Sequence, residues 1–250
     1  MIPKNKRMTA CISSQVGCSL SCSFCATGTL GLTRNLSASE IYRQVVYISK
    51  KCMEIYNQPL TNIVFMGMGE PLLNYKNVMR SIHFITSEEG LNMSYKRITL
   101  STSGISKMIR KLADDNVKVN LALSLHAANE ELRKKIMPIG KSNTLEEIRD
   151  SLKYYFSKTK KKVTYEYVLL RDVNDSIEDA YQLYKYTKHL SSKVNIIEYN
   201  AVEGLEFKKS SFEKTEKFIG YLLKKGVNVS LRRSRGKDIN AACGQLANKN

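Results

Sequence analysis

The chain has 250 residues, 42% of them apolar, enough to bury a sizeable core and suited to one large domain. No run of 18 consecutive apolar residues occurs, and MIPKNKRMTACISS carries no apolar stretch of signal-peptide length, so neither secretion nor membrane spanning is expected and the cytoplasm is the expected compartment. Forty basic against 23 acidic side chains leave a formal charge of +17, a field that recruits a polyanion, nucleic acid first among them. The bland alternative is a lysine-rich solvated surface with no ligand, since charge alone does not specify a partner.

The first predicted strand, 8–12 (MTACI), ends around Cys11, and the loop that follows holds CSLSCSFCATG, residues 18–28. Intracellular thiols stay reduced, so six cysteines point to metal binding or catalysis more than to a disulfide framework. Tetrahedral zinc normally takes its ligands as two separated pairs, whereas Cys18, Cys22 and Cys25 form one C-x3-C-x2-C triplet. Three thiolates on a cubane iron–sulfur cluster leave one iron open to substrate. Spacing alone leaves room for Cys11 as a fourth ligand of a zinc site or a closed cluster.

A helix follows, opened by a capping box with Ser37 at the N-cap and Glu40 three residues on. Ile41, Val45, Ile48, Cys52 and Ile55 recur at helical steps along it, a buried stripe that makes Cys52 a core thiol. Further strands are predicted at 62–66, 97–101, 117–124, 163–169, 194–198 and 227–231. Thr144 and Glu147 open another capped helix, and Phe212, Ile219 and Leu222 suggest a buried face late in the chain, closed by Gly226. Nothing in the pattern marks a domain boundary, so residues 1–250 are read as a single domain.

Repeated strand–helix alternation implies a parallel sheet, either doubly wound or closed into a barrel, with ligands at the C-terminal ends of the strands. The unusual polar residues fall at those ends: Glu70, Ser101, Ser103, Ser124, His126, Asn200 and Cys243. Any one of them has a bland reading, His126 as a satisfied core histidine for instance, but five such segments on one rim indicate a site. The basic run LRRSRGKD beside Cys243 offers Arg232, Arg233 and Arg235 as candidates for phosphate contacts.

CISSQVGCSLSCSFCATG, FMGMGEPLLN, ITLSTSG, LALSLHA, NIIEYN and GKDINAACGQL together resemble the RlmN/Cfr family of radical S-adenosylmethionine (SAM) RNA adenine methyltransferases, in that family's order over residues 11 to 246. SSQVGC and Pro71 are closer to the RlmN branch. The resemblance implies a partial (β/α)6 barrel, a 4Fe–4S cluster on Cys18, Cys22 and Cys25, and SAM bound by Gly69, Glu70, Ser101, Ser124, Leu125, His126 and Asn200. It implies methylation of adenine C2, an electron-poor carbon beyond ordinary methyl displacement, in 23S rRNA and tRNA. Cys243 then carries a methyl group taken from one SAM, and a radical from a second SAM activates that methyl for addition to adenine. Cys11 resolves the covalent link by attacking the sulfur of Cys243, leaving a disulfide for reductant to reopen. A flavodoxin-type electron donor is implied as a partner.

The family also carries an N-terminal accessory domain of about a hundred residues, a typical small-domain size, and a proton-accepting glutamate whose position would precede Met1 here. The expectation is therefore a catalytic core without that domain, complemented by a separate chain or altered in turnover. Rival readings are an RNA-binding remnant and a different radical SAM enzyme, the latter disfavoured by the paired Cys11 and Cys243 motifs.

Overall fold

A computed structural model describes residues 2–4, 7–233 and 242–246, the first three as backbone only. β1 (Ile2–Lys4) and β2 (Arg7–Cys11) pair antiparallel at one sheet edge. In β2 the two-residue period buries Met8 and Ala10. The chain then makes a small hairpin, β3 (Gln15–Gly17) with β4 (Leu32–Asn35), around the short helix α1 (Ala26–Thr29), and continues into α2 (Ala38–Tyr56). Neither β1 nor the hairpin was expected from the sequence.

Strands and helices then alternate: β5 (Asn62–Phe65), α3 (Tyr75–Thr86), β6 (Ile98–Thr102), α4 (Ser106–Asp114), β7 (Asn120–Ser124), α5 (Glu130–Ile136), α6 (Leu145–Thr159), β8 (Val163–Leu169), α7 (Ile177–Thr187), β9 (Ser192–Glu198), α8 (Phe212–Lys224) and β10 (Val229–Arg232). The order in the sheet is β1-β2-β5-β6-β7-β8-β9-β10, parallel from β2 onward. Each strand adds beside its predecessor and the order never reverses, as it must in a doubly wound sheet. The seven parallel strands instead curl into a half-barrel, as the partial-barrel expectation required.

Both capping boxes form, at Ser37/Glu40 and Thr144/Glu147, and Ser176/Asp179 adds a third. Ile41, Val45 and Cys52 are fully buried, but Ile55 is 61% exposed because the whole last turn of α2 runs past the core. The late helical face is also corrected. Phe212, the first residue of the helix, is 76% exposed, while Leu222 is buried and Ile219 packs on the core as expected, joined by buried Thr215 and Phe218. Gly226 follows the helix end at φ +74°, the left-handed turn that closes it.

Most apolar side chains form one core between sheet and helices. A second cluster, with Phe24, Ile136, Met137, Val168, Ile197 and Tyr199, lies beneath the cysteine loop, and Cys22 and Cys25 pack on it.

Candidate active site

The hollow at the C-terminal ends of the strands is lined by Cys18, Cys22, Cys25, Gly69, Glu70, Ser101, Ser124, His126 and Cys243, nine of the sequence-derived candidates. Three others do not line it. Leu125 is buried, with its N–H on the Glu166 carbonyl, Asn200 stands behind Cys243, and Cys11 ends β2 close to Cys243 and Arg232.

The cysteine loop is fixed at both ends. Cys18 N–H donates to the Gly31 carbonyl across the base of the hairpin (2.8 Å). A Cβ on Gly17 would lie 1.9 Å from the Gly31 oxygen, and its φ is +76°, so glycine is required there. Midway, Ser23 N–H and Oγ both donate to the Ile136 carbonyl, at 3.0 and 3.3 Å. Phe24 meets the His126 ring edge-on at 5.0 Å.

Glu70 is 2% exposed, and its carboxylate accepts from Leu72 N–H (3.1 Å) and Ser103 N–H (2.7 Å). Burial raises its pKa, and those backbone bonds partly oppose the rise. Its own N–H donates to Gln15 Oε1 (2.8 Å), and a Cβ on Gly69 would lie 2.5 Å from the Cβ of the same glutamine. Ser101 and Ser124, on adjacent strands, bring their hydroxyls within 3.3 Å.

His126 sits in the left-handed region at φ +57°, strained for a residue with a side chain. Its Nδ1 accepts from Val168 N–H (3.0 Å), which leaves Nε2 as the protonated nitrogen. Asn174 braces it, donating to the His126 and Val168 carbonyls at 2.7 and 2.8 Å and accepting from Leu170 N–H at 2.7 Å. Burial, with the charge of Arg133, pushes the His126 pKa down to about 3, so the ring is neutral.

The Cys243 segment is tied to the cysteine loop. Ala26 N–H donates to the Gly244 carbonyl (2.8 Å), Thr27 Oγ1 to the Leu246 carbonyl (2.5 Å), and Asn200 Nδ2 to the Cys243 carbonyl (3.1 Å). Burial and the neighbouring Cys243 push the Cys11 thiol up to about 12, while Arg232 favours its thiolate. All six cysteines are free thiols.

One charged lining residue escaped the sequence reading. Glu166 is 4% exposed, holds Asn195 Nδ2 at 2.9 Å and lies 3.6 Å from Arg232 Nη1. Its signal was available: in β8 Glu166 alternates with Tyr165 and Tyr167, whose side chains enter the outer core, so it points into the barrel. Arg232, expected as a phosphate-contact candidate, is a lining residue too. It is half-buried in the hollow, and although burial opposes its charge, Cys243, Glu166 and Cys11 hold its pKa above the ordinary value. Arg233 is exposed, and Arg235 lies outside the described residues.

Residues 12–184 match the Radical SAM superfamily. The chain is 56% identical over 249 residues to a probable dual-specificity RNA methyltransferase RlmN of Flavobacterium psychrophilum, covering 100% of this chain and 72% of that protein. A protein of the same name from Christiangramia forsetii is 54% identical, with 100% of this chain and 71% of the relative covered. Among solved structures, a radical SAM methyltransferase from Sphaerobacter thermophilus superposes with a TM-score of 0.96 at 43% identity, over 98% of this chain and 72% of that one. The chain belongs to the RlmN family of radical SAM enzymes. As a radical SAM enzyme it uses a 4Fe–4S cluster and SAM.

The hollow fits that pair of groups. Burial raises the pKa of Cys18 and Cys22, and neighbouring thiols raise both further, so a cationic occupant is what would favour their thiolates. Beside them stand a buried carboxylate and two hydroxyls, partners for the amino group and polar edges of SAM. Among the described residues no helix is long and apolar enough to cross a membrane.

Proposed function

We propose that this RlmN-family enzyme methylates C2 of adenine in 23S rRNA and tRNA through a methyl-cysteine at Cys243. The observation that carries this reading is the fastening of the Cys243 segment to the cysteine loop and to Asn200, which brings its thiol into the hollow that the three loop cysteines line. Cys18, Cys22 and Cys25 hold the cluster, which supplies, when bound, an open iron for SAM and the electron that cleaves it to a 5′-deoxyadenosyl radical. Glu70 receives the cationic amino group of SAM, and Gly69, Ser101, Ser124, Leu125, His126 and Asn200 shape the rest of its site. Neutral His126 offers Nε2–H as a donor and adds no charge.

Cys11 has the resolving role. In the resting protein it is protonated, held so by burial and by the neighbouring Cys243. Methylation turns Cys243 into a neutral thioether and removes that repulsion, while Arg232 remains to favour the Cys11 thiolate. Once carbon is joined to the base, the thiolate attacks the Cys243 sulfur: the sulfur–carbon bond breaks, and its electron pair stays with the carbon, which takes up a proton to become the methyl group on the base. An external reductant reopens the Cys11–Cys243 disulfide, while a flavodoxin-type partner is the electron donor. The +17 charge draws in the RNA, whose target adenine leaves its stack to reach the hollow. The chain is a single catalytic core spanning about 70% of the relatives' length, and an accessory segment in cis or in trans supplies selection of one adenine.

The test is covalent trapping on RNA with reconstituted enzyme. Cys11→Ala should start the reaction without finishing it, leaving RNA attached to Cys243, and Cys243→Ala should give no adduct. Normal turnover by Cys11→Ala, or an adduct that survives loss of Cys243, contradicts the assignment.

A further inference from the structure

Among the described residues Arg133, on α5, is the largest fully buried side chain. Burying a guanidinium costs several kcal/mol unless an opposite charge meets it, yet its bonds run to neutral carbonyls. Nη2 donates to Ser103 O at 2.6 Å and Nη1 to Asn143 O at 3.4 Å, while Nε is buried with no hydrogen-bond partner. Among the described ion pairs none includes Arg133. Glu130, the nearby acid, reaches Arg133 through its charge alone: its Oε1 lies 3.8 Å from Lys134 and its Oε2 accepts from Leu145 N–H.

The C-terminal turn of the same helix carries the cysteine loop through the two Ser23 bonds to Ile136, and Cys22 and Cys25 pack on the cluster that contains Ile136 and Met137. Through Ser103, Arg133 also touches the segment whose N–H holds Glu70. A buried cation that no acid meets in an ion pair among the described residues thus stands behind the loop that becomes anionic when loaded, since three thiolates outweigh the charge of a 4Fe–4S core and reduction adds one more negative charge.

We propose that Arg133 is the built-in counter-charge of the cluster, a positioning residue whose buried guanidinium keeps the cluster reducible. The inference rests on Cys18, Cys22 and Cys25 holding that cluster. Cluster potential follows net charge, hydrogen bonding and exposure, so removing a buried positive charge makes reduction harder.

The experiment uses the full chain, reconstituted anaerobically with iron and sulfide and titrated with dithionite while the reduced cluster is followed by electron paramagnetic resonance. Arg133→Gln should weaken reduction tenfold or more, a shift of at least about 59 mV to more negative potential for one electron. Arg133→Lys, which keeps the charge, should recover most of that shift. Equal potentials for Arg133→Gln and wild type, at equal iron content and melting temperature, overturn the proposal. Should Arg133→Gln fail to hold a cluster, Glu130→Gln decides: it keeps an oxygen for Leu145 N–H but unmasks Arg133, so the potential should move the opposite way. No shift, or a negative one, overturns the proposal. A wild-type chain that binds no iron refutes the cluster site itself, and the proposal with it, before any Arg133 variant is compared.

Discussion

Along α2, Ile41, Val45 and Cys52 enter the core by repeating at helical steps, and one capping box starts the helix. The rim a few ångströms away is held differently. Gln44 closes a pair of 3.0 Å bonds on the backbone of Ser13, Asn74 donates to the Ser14 and Leu36 carbonyls at 2.8 and 2.7 Å, and Asn174 braces His126. The core relies on burial, which tolerates approximate shapes, whereas the rim relies on amide side chains that satisfy irregular backbone one group at a time. That difference lets the loops depart from strand geometry and aim thiols, a carboxylate and an imidazole at one hollow.

The sharpest way to break the comparison is to remove a rim residue that serves the chemistry. Serine at Cys18, Cys22 or Cys25 should abolish the iron–sulfur chromophore and SAM cleavage together, while unloaded Cys18→Ser, at a position that packs on neither apolar cluster, unfolds within about 0.5 kcal/mol of wild type, as for substitutions away from the core. Anaerobic iron and sulfide analysis checks it. Tightly bound zinc with no iron, in wild type, contradicts it.

A smaller effect is expected where the rim is structural. Asn174→Ala leaves the His126 and Val168 carbonyls and Leu170 N–H unpaired in a buried place, and should cost about 3 kcal/mol in urea unfolding. A loss below about 1 kcal/mol would show that amide bracing is not what holds this part of the rim.

Smaller again is the titration of His126. Its folded pKa of about 3 lies below the ordinary 6.5, so between these values the unfolded chain binds a proton that the folded one refuses. The stability from neutral His126 is therefore present above about pH 6.5 and lost as pH falls toward 3, with a slope approaching 1.4 kcal/mol per pH unit. Urea unfolding of wild type and His126→Gln across that window isolates the contribution. Parallel pH dependences for the two would contradict a buried neutral imidazole.

The same division explains what could be read from the sequence. Strands 163–169 and 62–66 and both predicted capping boxes were legible because their periods and caps are local. The start of β7 was misplaced because Val117 and Lys118 lie in the turn that follows α4, where Asn116 has φ +49°. The hairpin that encloses the cysteine loop was missed because its register depends on Gly17 meeting Gly31, a contact with no periodic signature. Motif order placed nine candidates in the hollow. It could not show that Asn200 acts from behind, on the Cys243 carbonyl, or that Arg232 turns inward between Glu166 and the two thiols, because both depend on how the ends of β9 and β10 meet the cysteine loop.

The measurement that tests the account most directly is peptide mass spectrometry of the reconstituted chain after incubation with trideuteromethyl-SAM and reductant. The account predicts one labelled methyl group on Cys243 and none on Cys11, Cys18, Cys22, Cys25 or Cys52. Label on another cysteine, or an unlabelled Cys243 in protein whose cluster is intact and cleaves SAM, would contradict it.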